Sequence, residues 1–355
     1  MASIIKRSSR GTTKFEAAIR KRGGVSVSKT FSSRREALAW AATIESEIAR
    51  GAFVDRSSAE RNTFGDLLER YGCEISPSKK GGSLEILRIR CLLADPLAQI
   101  KVAALTGAHI AQFRDRRLAG DSKRKAVSGS TVNRELTLIS HVLSIASKEW
   151  GVHVHINPVS QIRRPRENRA RTRRLGGDEE VRLLAELELN PEDVVRGYGR
   201  GGCRGCRNEY MRPIVILAVE TAMRRGELLS LQWSDVFLED RYVRLYDTKN
   251  GEARDVPLSS RAFQTLTELL AKHRPGGGRV FSVSAEALKQ SFVRACERAG
   301  IRDLRFHDLR HEATSRIAER LDNVLELSSV TGHKTVQMLK RYYHPRASDL
   351  AKKLG

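Results

Sequence analysis

Residues 221–233 read Thr221-Ala222-Met223-Arg224-Arg225-Gly226-Glu227-Leu228-Leu229-Ser230-Leu231-Gln232-Trp233. The stretch leading into them, from Tyr210 to Met223, is almost wholly apolar and predicts a helix buried on most of its surface. Arg224 follows that helix directly and should be rigidly held by it. Arg225 to Leu229 begins another helical turn that runs toward Trp233. Downstream, Tyr242 to Tyr246 alternates like a strand. Asn250-Gly251 is a hairpin-turn signal before Arg254-Asp255-Val256-Pro257-Leu258. Further helices are expected at about 261–272, 285–299, 307–320 and 335–342. The region from Asp178 onward therefore reads as mostly helix with one small sheet.

Within this region Arg224, Lys249, His307, Arg310, His333 and Tyr342 are the residues that could carry chemistry. His307 and Arg310 lie three apart, on one face of a helix, and together suit a phosphate clamp. Lys249 adjoins the hairpin turn, where a flexible amine can reach over a bound backbone. Taken singly, each has a plainer reading: a packed histidine, a solvated lysine, a core or interface tyrosine. Composition and spacing alone stop at a basic, three-part nucleic-acid binder with a candidate phosphoryl-transfer site.

Upstream, residues 1–60 read as a small unit. Phe15, Ala17 and Ile19 alternate with Glu16, Ala18 and Arg20, Gly23-Gly24 turns the chain, and Val25 to Phe31 resumes an extended pattern. Ser33-Arg34-Arg35-Glu36 is a capping box before a helix bearing Trp40, Ile44 and Ile48. Lys14, Arg20, Lys21 and Arg22 make this sheet a candidate DNA reader. Residues 61–162 read as a helical bundle. Its stripes are Phe64, Leu67, Leu68 and Tyr71, then Leu84, Leu87, Cys91 and Leu92, with later helices starting at Thr106 and at Ser130 or Thr131. Lys79, Lys80, Lys123, Arg124, Lys125 and Arg134 are its candidate phosphate contacts. Residues 163–177 form an exposed basic linker. Arg163, Arg164, Arg166, Arg171 and Arg173 are its candidate DNA contacts, and 178–355 is the last domain.

The 355 residues carry 64 Lys and Arg against 42 Asp and Glu, a formal charge of +22 that calls for a polyanionic partner. With 40% hydrophobic and 30% charged residues the chain is a folded protein, and no apolar run is long enough to span a membrane. Five cysteines point to a reducing, cytoplasmic location, and Cys73, Cys91 and Cys296 read as small buried hydrophobes. Cys203 and Cys206 form a lone CxxC in a Gly/Arg-rich surface loop. With no second CxxC, no metal site is expected.

Four segments, in order, resemble the tyrosine recombinases of the phage-integrase family. Residues 221–233 resemble its first arginine box, and Asp247-Thr248-Lys249-Asn250-Gly251 with Arg254 to Leu258 its lysine hairpin. Phe306-His307-Asp308-Leu309-Arg310-His311-Glu312 resembles its His-x-x-Arg box. Thr331-Gly332-His333, followed nine residues later by Tyr342, resembles its nucleophile segment. Residues 63–160 are similar to the helical core-binding (SAM-like) domain, and residues 12–51 to the small sheet-plus-helix domain of element-encoded integrases. The resemblance implies an α+β multidomain chain with a mainly helical catalytic domain.

The resemblance also implies a chemistry. Tyr342 would attack a backbone phosphorus, forming a 3′-phosphotyrosyl link and freeing a 5′-hydroxyl. Arg224 and Arg310 would hold the phosphate, Lys249 would protonate the leaving oxygen, His307 would act as base or shuttle, and His333 would donate to the phosphate. No cofactor or metal is implied. The implied partners are double-stranded attachment sites, three further copies in a homo-tetramer, and DNA-bending or directionality factors. A host-type chromosome-resolving recombinase and a non-catalytic sequence-specific binder are the alternatives. Three positions depart from the family pattern or compete with it: Ala222 stands where the family has Gly, Thr331 where it has Leu, and Tyr343 adjoins Tyr342 as a rival nucleophile. Thr331 is expected to loosen the packing behind His333.

Overall fold

The computed structural model describes residues 2–9, 12–20, 26–120, 124–168, 171–188, 206, 208–246, 253–272, 278–321, 323–342 and 351. The chain divides into two units, Met1–Arg169 and Ala170–Gly355. The division falls inside the basic stretch 163–177. Arg163, Arg164 and Arg166 belong to the first unit, and Arg171, Arg173 and Arg174 to the second.

The first unit opens with three antiparallel strands in the order β1 (Ala2–Ser9), β2 (Thr12–Arg20), β3 (Ser26–Phe31). Helix α1 (Arg34–Ala49) packs on the sheet through Ala37 and Ala41, whose small side chains allow a close approach to β2. Trp40 is only half-buried, its ring 5.6 Å from that of Phe31 at the sheet edge. The capping box is half formed. Ser33 Oγ accepts from the Glu36 N–H, while the Glu36 carboxylate accepts from the Ser32 hydroxyl instead of reaching back.

Among the described residues five α-helices follow: α2 (Ser57–Arg61), α3 (Phe64–Glu74), α4 (Gly82–Leu93), α5 (Gly107–Ala119) and α6 (Gly129–Lys148). A complete Thr63–Asp66 capping box starts α3, and Phe64, Leu68, Tyr71, Ile110, Phe113, Leu136, Ile139 and Leu143 are fully buried. α4 differs from the expectation. Ile89 and Leu92 point inward, while Leu84, Leu87 and Cys91 are exposed. The helix is apolar on two faces, so periodicity alone cannot choose between them. Cys73 is also exposed. α6 is capped by Ser128, ahead of the expected Ser130 or Thr131.

The second unit is built around α8 (Met211–Thr221), in which Met211 and every residue from Ile214 to Val219 are buried. Each such aliphatic side chain contributes about 1.5–3 kcal/mol relative to exposure. Around it lie α7 (Glu179–Glu186), α9 (Arg225–Ser230), α10 (Ser260–Lys272), α11 (Ala285–Arg298) and α12 (Phe306–Ala318), with α10 and α12 packed directly on α8. A three-stranded antiparallel sheet runs in the order β4 (Val236–Phe237), β5 (Tyr242–Leu245), β6 (Arg254–Pro257). Two short helices, α13 (Val324–Thr331) and α14 (Val336–Leu339), close the unit. Among the described residues no helix is long and apolar enough to cross a membrane.

Two left-handed residues stop the two helices that matter most for the site. α8 ends at Ala222, φ 53°, and α13 at Gly332, φ 68°. Glycine takes this conformation freely, whereas an L-alanine is strained by roughly 1–2 kcal/mol. Ala222→Gly is therefore expected to raise the stability of this unit by about 1 kcal/mol, and Ala222→Val to lower it. Urea midpoints of the three proteins check this, and an unchanged midpoint for the glycine variant would remove the strain argument.

Candidate active site

Helix C-termini leave their last carbonyls without intrahelical partners and carry a partial negative charge. At the end of α13 three successive carbonyls are satisfied by three different arginines. Val330 O accepts from Arg254 Nε at 3.3 Å, Thr331 O from Arg310 Nη2 at 2.6 Å, and Gly332 O from Arg224 Nη2 at 3.1 Å. The carbonyl of Ala222, exposed by the left-handed turn after α8, accepts from Arg310 Nη1. The two helix stops thus aim the arginines.

Glu227 locks two of the three. It is buried, and its carboxylate takes Arg254 Nη1 and Nη2 at 3.0 and 2.7 Å and Arg224 Nη1 at 2.7 Å. It also accepts the backbone N–H of Arg224 at 2.7 Å, as the third residue of α9 reaching back to its cap. Burial alone would raise this carboxyl, but the hydrogen bonds and charge of Arg254, then those of Arg224, hold it at about 2. Among the described residues Arg310 has no such carboxylate. It is buried, and among the described residues its guanidinium hydrogen-bonds only the two carbonyls. Burial first, and Arg224 second, bring it down to about 10.

Tyr342 lies beside this cradle. Its half-buried ring packs on Ala318, Leu327 and Leu339, 5.9 Å from the His333 ring and 5.8 Å from that of His311. Burial raises the phenol above its ordinary value, against the pull of Arg341 and Arg310. The hydroxyl is hydrogen-bonded to His311 Nδ1, and the His307 ring stands 5.2 Å behind that of His311. His307 shows an edge to solvent. Partial burial, then Arg310, nevertheless lowers it.

His333 is fixed by the residue expected to loosen it. The buried Thr331 hydroxyl donates to Leu327 O at 2.6 Å and stands 2.7 Å from His333 Nδ1. A hydroxyl has one proton, so Nδ1–H must be the donor in the second contact, which leaves the lone pair of the neutral ring on Nε2. Burial, then Arg310 and Arg224, keep this ring neutral down to about pH 4. His333 can donate to an anion through Nε2 only after taking up a proton.

The structure brings together Arg224, Arg310, His333 and Tyr342, with His307 one ring removed. Lys249 lies outside the described residues, as do Tyr343, Cys203, Lys21, Arg22 and Lys123. Residues that sequence reasoning gave no role are Glu227, Arg254 and His311, and to Thr331 it gave only a loosening of packing. The Arg-x-x-Glu spacing of Arg224 and Glu227, matching a helix cap and its third residue, was the available signal for the first.

The remaining basic candidates are scattered. Lys14, Arg20, Lys80, Lys125, Arg134, Arg163 and Arg166 are exposed. Lys79 pairs with Glu85, Arg124 lies 3.7 Å from Asp95, and Arg164 donates to Asn133 O and Thr137 Oγ1. Arg171 and Arg173 are turned inward. Arg171 grips Asp308 and Asp303, Arg173 grips Glu179, and the neighbouring Arg174 grips Glu312. The Asp308 and Glu312 pairs anchor the segment entering the unit onto α12, and the Arg171 carbonyl accepts from Arg341, next to Tyr342. Among the described residues no cluster of His, Cys, Asp or Glu could hold a metal ion.

Two neighbouring guanidiniums, one without a carboxylate, beside a phenol and neutral imidazoles can hold an anionic oxygen group and direct a nucleophile at it. The chain is similar to several known proteins. The family model described as "Phage integrase family" matches residues 173–349. The shufflon-specific DNA recombinase of Escherichia coli is 39% identical over 290 residues, covering 81% of this chain and 70% of that protein. The Tn1549 transposon integrase, solved in complex with a circular intermediate DNA, matches with a TM-score of 0.62 at 16% identity over 82% of this chain and 99% of that one. A lambda integrase tetramer bound to a Holliday junction matches with a TM-score of 0.59 at 19% identity over 93% of each chain.

Two outcomes follow from this geometry. Glu227→Gln leaves Arg254 and Arg224 without their shared counter-charge, and breaking such a buried pair costs about 3–5 kcal/mol. Urea denaturation should register that loss, and a cost under about 1 kcal/mol would mean that the carboxylate does not anchor the arginines. The histidines set the second. His311 and His333 fall from 6.5 to about 4 in the fold, so between those values the unfolded chain binds more protons. Their contribution is complete above about pH 6.5 and is lost as pH falls toward 4. Stability against pH should drop across that window, and less steeply in His333→Asn. Equal slopes would contradict the assignment.

Proposed function

The chain belongs to the phage integrase family of tyrosine recombinases, and on that premise we propose that it is a site-specific DNA recombinase that integrates or excises a phage or other mobile element. The observation that carries this reading is the buried Arg310, hydrogen-bonded among the described residues to carbonyls alone and standing next to Arg224 beside the Tyr342 hydroxyl. A buried cation without a carboxylate is costly unless an anion completes it. A DNA phosphodiester is that anion, and the net charge of +22 favours the polymer that carries it.

In this mechanism the phosphate enters between Arg224 and Arg310. Their forks meet its non-bridging oxygens and stabilise the charge that grows in the pentacoordinate state. Tyr342 Oη attacks phosphorus as its proton passes to the neighbouring imidazoles, and the 5′ oxygen leaves with a proton from Lys249. His333, protonated as the phosphate arrives, adds a hydrogen bond from Nε2. The 5′-hydroxyl of a partner strand later attacks the phosphotyrosine and restores the backbone. Bond energy is kept in the link throughout, so the cycle needs no ATP. Exchange of strands between two duplexes calls for four copies of the chain, the assembly named for the lambda integrase. The exposed basic groups of the first unit, among them Lys14, Arg20, Lys80, Arg134, Arg163 and Arg166, would hold the duplex.

The test is covalent capture on fragmented DNA of the source cell, followed by sequencing of peptide-linked ends and mass spectrometry of the linked residue. Wild type should give recurrent junctions linked through Tyr342. Tyr342→Phe should give none, and Arg310→Lys should yield adduct about 100-fold more slowly while still binding DNA. Linkage through another residue would reject Tyr342, scattered junctions would favour a sequence-blind nuclease-ligase, and binding without adduct would favour a non-catalytic binder.

A further inference from the structure

The tyrosine hydroxyl is hydrogen-bonded to a histidine of α12 other than His307. We infer that His311 Nδ1, rather than His307, takes the proton of Tyr342 as the tyrosine attacks. The inference rests on the phosphoryl-transfer reading above and deepens it.

The contact is direct. Among the described residues the Tyr342 hydroxyl meets His311 Nδ1, whereas His307 reaches the tyrosine only through the His311 ring, 5.2 Å away. The His311 and Tyr342 rings are nearly parallel, 25° apart with centroids at 5.8 Å, which holds the contact in register. An arginine can only donate, and Arg341 Nη2 lies 3.3 and 3.4 Å from the two ring nitrogens. At least one ring nitrogen therefore carries a lone pair and His311 is neutral in the resting protein; on this inference that lone pair is on Nδ1, with the phenol as donor.

The groups facing His311 come from two segments. Tyr342 and Arg341 belong to the nucleophile segment, and His307, Asp308 and Arg310 to its own helix. Burial first, then Arg341 and His307, hold the imidazole at about 4, too weak a base for a phenol at rest. A phosphate arriving against Arg310 offsets part of that positive field and strengthens the base only when substrate is present. The proton then moves from Tyr342 Oη to Nδ1 while the Oη–P bond forms and the P–O5′ bond breaks, the 5′ oxygen taking its proton from Lys249. In the reverse step Nδ1 returns the proton to the departing tyrosine. Tyr342 is thus kept protonated, and unreactive, until a phosphate is in place.

The experiment measures single-turnover adduct formation on the captured duplex, with oxygen and then sulfur at the bridging 5′ position. Sulfur leaves without a general acid, so it restores an acid defect and not a base defect. His311→Ala should slow adduct formation about 100-fold on both substrates with duplex binding retained. His311→Asn, which can accept a hydrogen bond near the place of Nδ1 but not a proton, should be as slow. Lys249→Ala should be slow on oxygen and fast on sulfur. A His311→Asn rate near wild type would reduce the residue to positioning, and rescue of His311→Ala by sulfur would make it an acid; either result overturns the inference.

A measurement on the protein alone separates the two readings. The ¹⁵N resonance of His311 Nδ1 should shift in Tyr342→Phe. A shift together with no wild-type adduct on any DNA would sink the recombinase reading and leave the contact standing. No shift would sink the inference by itself.

Discussion

Three arginines from three different elements converge on three consecutive carbonyls, Val330, Thr331 and Gly332, at the end of a single short helix. Everything in the candidate site depends on that convergence. The carbonyls are the ones a helix cannot satisfy itself, and their partial negative charge suits guanidinium groups. One buried carboxylate, Glu227, serves two of the arginines, so three cations face one anion. The imbalance is local and built in. It leaves Arg310 waiting for a negative group, while the left-handed residues Ala222 and Gly332 keep the carbonyls aimed. Gly332 is further required because a Cβ there would lie 2.9 Å from the Arg254 guanidinium.

The nucleophile side has a parallel logic. α12 bears the residues that face the phenol, and its two acidic residues, Asp308 and Glu312, face the other way into the strand that enters the unit. Asp308 also caps α12 through the Arg305 N–H at 2.9 Å. The strand in turn offers the Arg171 carbonyl to Arg341, the neighbour of Tyr342. One helix therefore fixes the cradle through Arg310, the phenol through His311, and the entering strand through its carboxylates.

The fold was largely legible in the sequence because its strongest signals are local. The apolar run of α8, the Thr63–Asp66 capping box and the alternation of β2 each depend on neighbours within a few residues. What failed was decided elsewhere. Leu84 and Leu87 lie on one of two apolar faces of α4, and tertiary packing chose the other, with Ile89 and Leu92. Arg171 and Arg174 read as free because their carboxylates lie more than 130 residues away in the chain. In the site, the arginine and tyrosine boxes located Arg224, Arg310 and Tyr342, yet among 64 basic residues nothing marked Arg254 as the partner of Glu227. Thr331 is the clearest case. As a change of side chain it suggested loosened packing, whereas its hydroxyl sets which nitrogen of His333 carries the proton.

The central claim is that the arginine cradle and Tyr342 address one phosphorus atom. A crystal structure of the protein on its captured duplex, nicked at the crossover and soaked with orthovanadate, tests it most directly, because vanadate adopts the pentacoordinate geometry of the transition state. The account expects vanadium bonded to Tyr342 Oη, with equatorial oxygens within hydrogen-bond reach of Arg224 and Arg310. Vanadium bonded to another side chain, or seated away from those two guanidiniums with Tyr342 still against His311, would contradict it.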